Sequence, residues 1–221
     1  MGDPPRFFFA FSSILRFALN LGFFERPLAA GLIWGLITGE WALAIHVSIF
    51  FELIWLDLFP AGTYIPPNAV APMLLTLGIS HYFNVQDAPT LAFPILVSLP
   101  AALLAARIEY RQRKMQNAGY NRIIHWGRKD AEDSVPGRVV VRSLVQSFVM
   151  HALFFCLCQL VLIVTIKGLS WYMGHLPAIP GIGWMHLWFA AGIGGVMSLR
   201  VRRSYVVFLL CLVCVVLIGT A

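Results

Sequence analysis

Charged residues are scarce in this chain: Asp, Glu, Lys and Arg make up only 12% of its 221 residues. A soluble domain usually carries about 25%, whereas 59% of this chain is hydrophobic and its mean hydropathy is +0.79. So few charges cannot cover a water-exposed surface, which excludes an ordinary soluble domain. Because helices satisfy their own backbone hydrogen bonds in lipid, the composition predicts one membrane-embedded domain over residues 1–221. We expect it to be all-α and polytopic, with transmembrane helices and re-entrant or broken helices.

Cysteine and histidine are also few, at four and six residues, and neither type forms a repeated ligand pattern. The cysteines all lie in apolar segments, where a thiol behaves as a small hydrophobic side chain, so we expect no metal site and no disulfide. They are Cys156, Cys158, Cys211 and Cys214. Paired intramembrane histidines can hold haem, and His46 and His151 are the deep candidates. We expect hydrogen-bonded or interfacial roles for them and no cofactor, with a haem- or quinone-associated oxidoreductase subunit kept as an alternative.

The basic residues outnumber the acidic ones and give a formal net charge of +6, but they are unevenly placed. Nine of the 16 lie in residues 107–142, and three more lie in residues 200–203. Basic clusters between apolar segments mark the cytosolic side of a membrane, so they indicate topology rather than nucleic-acid binding. We therefore expect a cytosolic loop at about 109–138, with the lysine- and arginine-free connections at 84–89 and 168–180 facing outward.

Eight apolar segments predict the helices, at residues 7–24, 27–38, 41–59, 65–83, 90–108, 139–166, 187–199 and 204–221. Those at 65–83 and 90–108 are long enough, at about 28 Å each, to cross ~30 Å of hydrocarbon. The segment 27–38 is too short at about 18 Å, so we expect half of a re-entrant hairpin with 41–59, or one long broken helix pair. The segment at 187–199 crosses only if its approach from Leu176 is partly helical. The hydrophilic stretch before 139 is interpreted as a short helix that breaks at Gly119.

The stretch FELIWLDLFPAGTYIPPN, residues 51–68, places two carboxylates in an apolar region that then breaks. Glu52 and Asp57 precede a turn rich in Pro and Gly, and the chain restarts at Pro66-Pro67. A carboxylate at the bilayer centre costs about 2.5–3.5 kcal/mol on insertion scales, and irregular backbone at that depth needs cover by protein or a watery cavity. The motif therefore predicts a polar binding site within the membrane.

The residue types in this motif suit a ligand rich in hydroxyl groups. Carboxylates and the Asn68 amide match sugar hydroxyls, which both donate and accept hydrogen bonds, while Trp55 or Tyr64 can cover an apolar sugar face. The candidate substrate-binding residues of the motif are Glu52, Trp55, Asp57, Thr63 and Asn68. The same polar groups can instead cap broken helix ends and hold a hairpin to its neighbours, and this structural interpretation stays open.

The run from residue 26 to residue 75 contains Arg26-Pro27-Leu28, Gly35-x-x-x-Gly39 followed by Glu40, Glu52 before Leu53, Leu56, Gly62 and Pro67. With these features it resembles Enzyme IIC, the substrate-channel component of the mannose, fructose and sorbose family of the bacterial phosphotransferase system. The length of the chain and its hydrophilic middle also fit that family.

The resemblance implies a sugar-translocating subunit in the bacterial cytoplasmic (inner) membrane that passes a hexose-like sugar to phosphorylation. It implies an Enzyme IID membrane subunit and cytosolic IIA and IIB phosphocarrier proteins as partners, a homo-oligomer, and a sixth candidate substrate-binding residue, Asn20. The chain departs from the family pattern at Asp57, Pro60 and Asn68. These departures leave the sugar open, and with it a regulatory or scaffolding protein that no longer transports.

Overall fold

The computed structural model describes the backbone of residues 26–56, 65–127 and 136–198, and the side chains of the same ranges outside 117–140. These ranges form α-helices and contain no strand, which confirms the all-α prediction. The helices are α1 Pro27–Thr38, α2 Trp41–Ile54, α3 Val70–Phe83, α4 Ala88–Gly127, α5 Pro136–Met173 and α6 Trp184–Ser198. Predicted segments 7–24 and 204–221 lie outside the described residues.

Helices α1 and α2 form a tight antiparallel hairpin. Pro27 begins α1 at the position where its missing N–H is no loss, and Gly39 ends it with φ +79°, in the left-handed region that glycine tolerates best. With 12 and 14 residues, the two helices are about 18 and 21 Å long and fall short of ~30 Å of hydrocarbon. The bounds predicted for the segment 27–38 are confirmed. The short hairpin agrees with the re-entrant alternative.

Helix α3 forms the centre of the hydrophobic core. Every residue from Val70 to Ser80 is buried, because α3 contacts α1 and α2 on one side and α4 and α5 on the other. The helix starts later than predicted: residues 65–69 are not helical, and its 14 residues span only about 21 Å. The prediction of a full-length crossing at 65–83 was therefore too long.

Helices α4 and α5 are the longest elements, at 40 and 38 residues. Within the described residues they supply the two stretches long and apolar enough to cross a membrane, Ala88–Gln116 and Val141–Met173. The predicted break at Gly119 was wrong, since α4 continues without interruption to Gly127. A single glycine costs only about 1 kcal/mol in a helix interior, which the surrounding helix-forming residues can offset. The expected loop at 109–138 is thus largely helical.

Helix α6 reaches the core through an irregular approach. Residues 176–183 are not helical and α6 begins at Trp184, so only the last three residues of the approach from Leu176, at 184–186, are helical. The N–H of Ile179 donates instead to the carbonyl of Pro89 at 2.9 Å and fixes the segment beside the start of α4. Helix α6 then packs along α2, where Ala191 and Gly195 are buried.

Asp87 caps the start of α4, and we expect Asp87→Ala to lower stability by about 1 kcal/mol at neutral pH. Its Oδ2 accepts hydrogen bonds from the Thr90 hydroxyl at 2.6 Å and the Thr90 N–H at 3.0 Å. The hydroxyl bond is the larger cause that holds the pKa of Asp87 below its ordinary value of 3.8. A lowered pKa stabilises the fold above the unfolded value and loses that contribution as pH falls through the folded value. Melting temperatures of wild type and Asp87→Ala should therefore differ at pH 7 and draw together as pH falls below the ordinary value of 3.8; a difference that stays constant through that fall would contradict the cap.

Candidate functional site

Glu52 joins the two ends of the α1–α2 hairpin. Its Oε1 lies 3.0 Å from Nη1 of Arg26, and its Oε2 accepts the backbone N–H of Leu28 at 3.3 Å. The carboxylate side chain is only 18% exposed, against 41% for that of the arginine. The first N–H groups of a helix lack intrahelical partners and carry partial positive charge, so a carboxylate is stabilised there. Glu52 on α2 thus caps α1 across the hairpin.

Asn68 performs a related task at the start of α3. Its Oδ1 accepts the N–H groups of Val70 at 3.1 Å and Ala71 at 3.2 Å. Its own N–H donates to the carbonyl of Ala102 on α4 at 3.2 Å. The side-chain nitrogen takes part in none of these bonds, so the residue holds two helices in place with its oxygen and backbone while its amide donors can serve a ligand.

Trp55 lies directly after α2, where the regular hydrogen bonding of the helix stops. Its ring stacks on Phe51 with centroids 5.9 Å apart and planes 16° apart. Phe51 is fully buried and Trp55 only partly, so the core fixes one face of the indole while part of the side chain stays accessible. This is the arrangement expected of an aromatic platform at a helix end.

The three described candidates therefore all flank the break between α2 and α3. Asp57, Thr63 and Asn20 lie outside the described residues, and their roles remain predictions. The structure supports the capping alternative for Glu52 and Asn68 by direct contacts. Capping and binding are compatible, because each carboxylate oxygen has two acceptor sites and the contacts described above occupy one on each.

Arg26 is the site residue that sequence reasoning missed. It was noted as part of a motif, but its pairing with Glu52 spans 26 positions and depends on the hairpin being closed. A signal was present: a cation just before a helix-starting proline, followed by a lone carboxylate in an apolar run, is a pair that needs mutual neutralisation in a membrane.

A separate cavity between α3, α4 and α5 does not suit a sugar. Its lining includes Ile79, Phe83, Leu91, Ile166 and Pro177, and the described residues around it contribute no carboxylate or amide side chain. An apolar lining leaves sugar hydroxyls without partners, which is unfavourable. The cavity therefore stands apart from the polar residues at the α2–α3 break.

The two deep histidines have local partners. The ring of His46 stacks between Trp184 and Trp188 of α6, at centroid distances of 5.0 and 5.2 Å. The His46 carbonyl also accepts the Trp188 indole N–H at 3.0 Å. Nδ1 of His151 lies 2.9 Å from the Ser147 carbonyl. Within the described residues no group of three or more His, Cys, Asp or Glu could hold a metal ion.

Comparison with known proteins gives a match over most of the chain. A family model described as the sorbose-specific IIC component of the PTS system matches residues 7–218. A comparison with curated proteins found no match. The matched range includes the hairpin, the break after α2 and both long helices.

Proposed function

We propose that this chain, which belongs to the family of sorbose-specific IIC components of the phosphotransferase system, binds a hexose-like sugar at the α2–α3 break during import. Membership makes it a sugar-transporting membrane subunit that cooperates with other components of that system. The family match is the observation that carries the proposal, and it favours transport over the oxidoreductase alternative.

The geometry supports a sugar site at the break by what it places there. Glu52 offers charged acceptors held by Arg26 and a helix N-terminus, Asn68 offers amide donors, and Trp55 offers a partly accessible ring. A sugar needs donors, acceptors and an apolar platform together. The contacts of Glu52 with Arg26 and Leu28 also fix the hairpin. We therefore expect sugar binding to be coupled to the position of the hairpin.

The proposed partners follow from the family and from the surface of α5. Its apolar residues Leu153, Leu157 and Val164 are 58–63% exposed, as expected for a face covered by lipid or another membrane chain. We propose an Enzyme IID-like membrane subunit, cytosolic IIA and IIB proteins that phosphorylate the imported sugar, assembly as a homo-oligomer, and a multi-pass location in the bacterial inner membrane.

The test compares Glu52→Gln and Asn68→Ala with wild type in the purified membrane complex. Losing a charge-assisted hydrogen bond should weaken sugar binding by about 1.5–3 kcal/mol for Glu52→Gln, roughly 10- to 150-fold. Asn68→Ala should act in the same direction. Asp87→Asn is the matched control, because it also turns a carboxylate into an amide but lies at the far end of α3.

Sugar affinity and melting temperature must be measured on the same samples, since both residues also cap helices. Lost affinity in stable, assembled variants supports binding. Unchanged affinity in assembled variants would reduce the motif to a structural hinge. Wild-type complex with its partners that neither binds nor imports sugar would instead favour the regulatory or scaffolding alternative.

A further inference from the structure

We propose a second sugar-recognition point at the tip of the hairpin, where Trp34 and Glu40 together hold one sugar hydroxyl beside His81. The proposal rests on the proposed sugar transport and adds a site about 18 Å along α2 from Glu52, judged from the 12 residues between positions 40 and 52. That separation makes it distinct from the α2–α3 break.

The tip is a rigid corner made by three elements. Oε1 of Glu40, at the turn before α2, lies 3.3 Å from Nδ1 of His81 on α3. The rings of Trp34 on α1 and His81 meet edge to face, with centroids 6.5 Å apart and planes 86° apart. The Thr38 hydroxyl donates to the Trp34 carbonyl at 2.9 Å and accepts the Glu40 N–H at 3.3 Å. The turn thereby fixes the backbones of Trp34 and Glu40 relative to each other, and both side chains contact His81.

Within the part of the chain that the structure describes, two polar atoms at this corner are buried and have no hydrogen-bond partner. They are the indole Nε1 of Trp34, a side chain 1% exposed overall, and Oε2 of Glu40. A buried donor or acceptor left unsatisfied costs about 1–3 kcal/mol. Two such atoms beside one histidine therefore destabilise the fold unless a ligand pairs with them. One orphan is a donor and the other is an acceptor.

A hydroxyl group is the ligand chemistry that answers both atoms. Its oxygen can accept the indole N–H while its hydrogen is donated to the carboxylate. A carboxylate ligand would be repelled by Glu40, and an apolar group would leave both atoms unpaired. His81 is 47% exposed, so the corner is open at one edge. If the connection at 84–89 faces outward as expected, this edge lies where a sugar enters.

The experiment measures equilibrium binding of L-sorbose, D-fructose and D-mannose to the purified membrane complex with Trp34→Phe or Glu40→Gln. Trp34→Phe keeps an aromatic ring and removes the N–H, and we expect it to weaken binding about three- to tenfold. Glu40→Gln should weaken it at least as much. Trp171→Phe is the matched control, because Trp171 is 88% exposed on α5. This variant should bind the sugar with the affinity of wild type.

Monodeoxy analogues of the sugar that binds separate recognition from a loss of stability. The analogue that lacks the contacted hydroxyl should bind wild type more weakly than its parent, yet Trp34→Phe should hardly distinguish the two. If every analogue is discriminated equally by wild type and variant, the corner holds at most a structural water and the proposal is overturned. Wild type that binds none of the three sugars would overturn the proposed function and this site with it, whereas sugar-binding wild type with an unaffected Trp34→Phe would overturn this site alone.

Discussion

Gly195→Ala should separate α6 from the hairpin and produce one of the largest losses of stability available from a single methyl group. A Cβ at this position would overlap the carbonyl oxygen of Leu53 on α2. Backbone cannot rotate away as a side chain can, so the whole of α6 must shift. Overpacking of this kind typically costs about 1–3 kcal/mol, and we expect the upper end, a fall in melting temperature of about 6–12 °C for a chain of this size.

Gly192→Ala provides the control on the same helix. A Cβ there meets no atom of the described residues within 4 Å, and alanine is the better helix former by about 0.5–1 kcal/mol. Its melting temperature should be equal to or above that of wild type. If the two variants melt together in the same detergent, close contact between α6 and α2 is not important for the fold.

Gly31→Ala should disrupt the hairpin itself, with a comparable loss of stability and of sugar import. An added Cβ would overlap the Ser48 hydroxyl and lie 2.9 Å from the Ser48 Cβ and 3.1 Å from the Ala44 carbonyl. Rotation of the serine does not move its Cβ. Ser48 is also held in place, since its hydroxyl donates to the Ala44 carbonyl at 2.6 Å. The helices must therefore move apart, at a cost of about 3 kcal/mol.

A second substitution tests this reason directly. Gly31→Ala combined with Ser48→Gly removes the two nearest opposing atoms, leaves the Ala44 carbonyl, and should recover part of the lost melting temperature, whereas two independent defects would add. Gly168→Ala controls for the glycine-to-alanine change, because a Cβ at that position lies more than 4 Å from every other residue that the structure describes. If the double variant loses as much melting temperature as the two single variants lose together, the tight crossing does not set the hairpin geometry.

Local signals predicted the helices well where chemistry marks both ends. Pro27 and Gly39 bound α1 because proline favours a helix start and glycine a left-handed stop, and the structure has that helix at the predicted residues. Gly119 also predicted a helix end, but the helix continues through it. An isolated glycine only weakens a helix. The approach after Leu176 is mostly irregular for a different reason: its Ile179 finds a hydrogen-bond partner on another element, which no local pattern reveals.

The candidate site was predictable in residue type but not in arrangement. The polar residues around the break were visible as costly groups in an apolar run, while the partner of Glu52 required the hairpin to be folded. The stacking of His46 depends on Trp184, far along the chain. The stacking of His46 arises from tertiary packing and has no signal in the sequence alone, whereas the Arg26–Glu52 pair could be suspected from two opposite charges in an apolar region.

Because α4 and α5 are long, a small rotation of either helix displaces its far end by a large distance. At 40 and 38 residues they measure about 60 and 57 Å, roughly twice the hydrocarbon thickness. A helix that pivots by about 10° at the membrane surface carries an end 30 Å away through about 5 Å, if it stays straight. Small rearrangements among the packed helices would thus become large displacements at the basic ends, where a soluble protein could detect the transport state without entering the membrane.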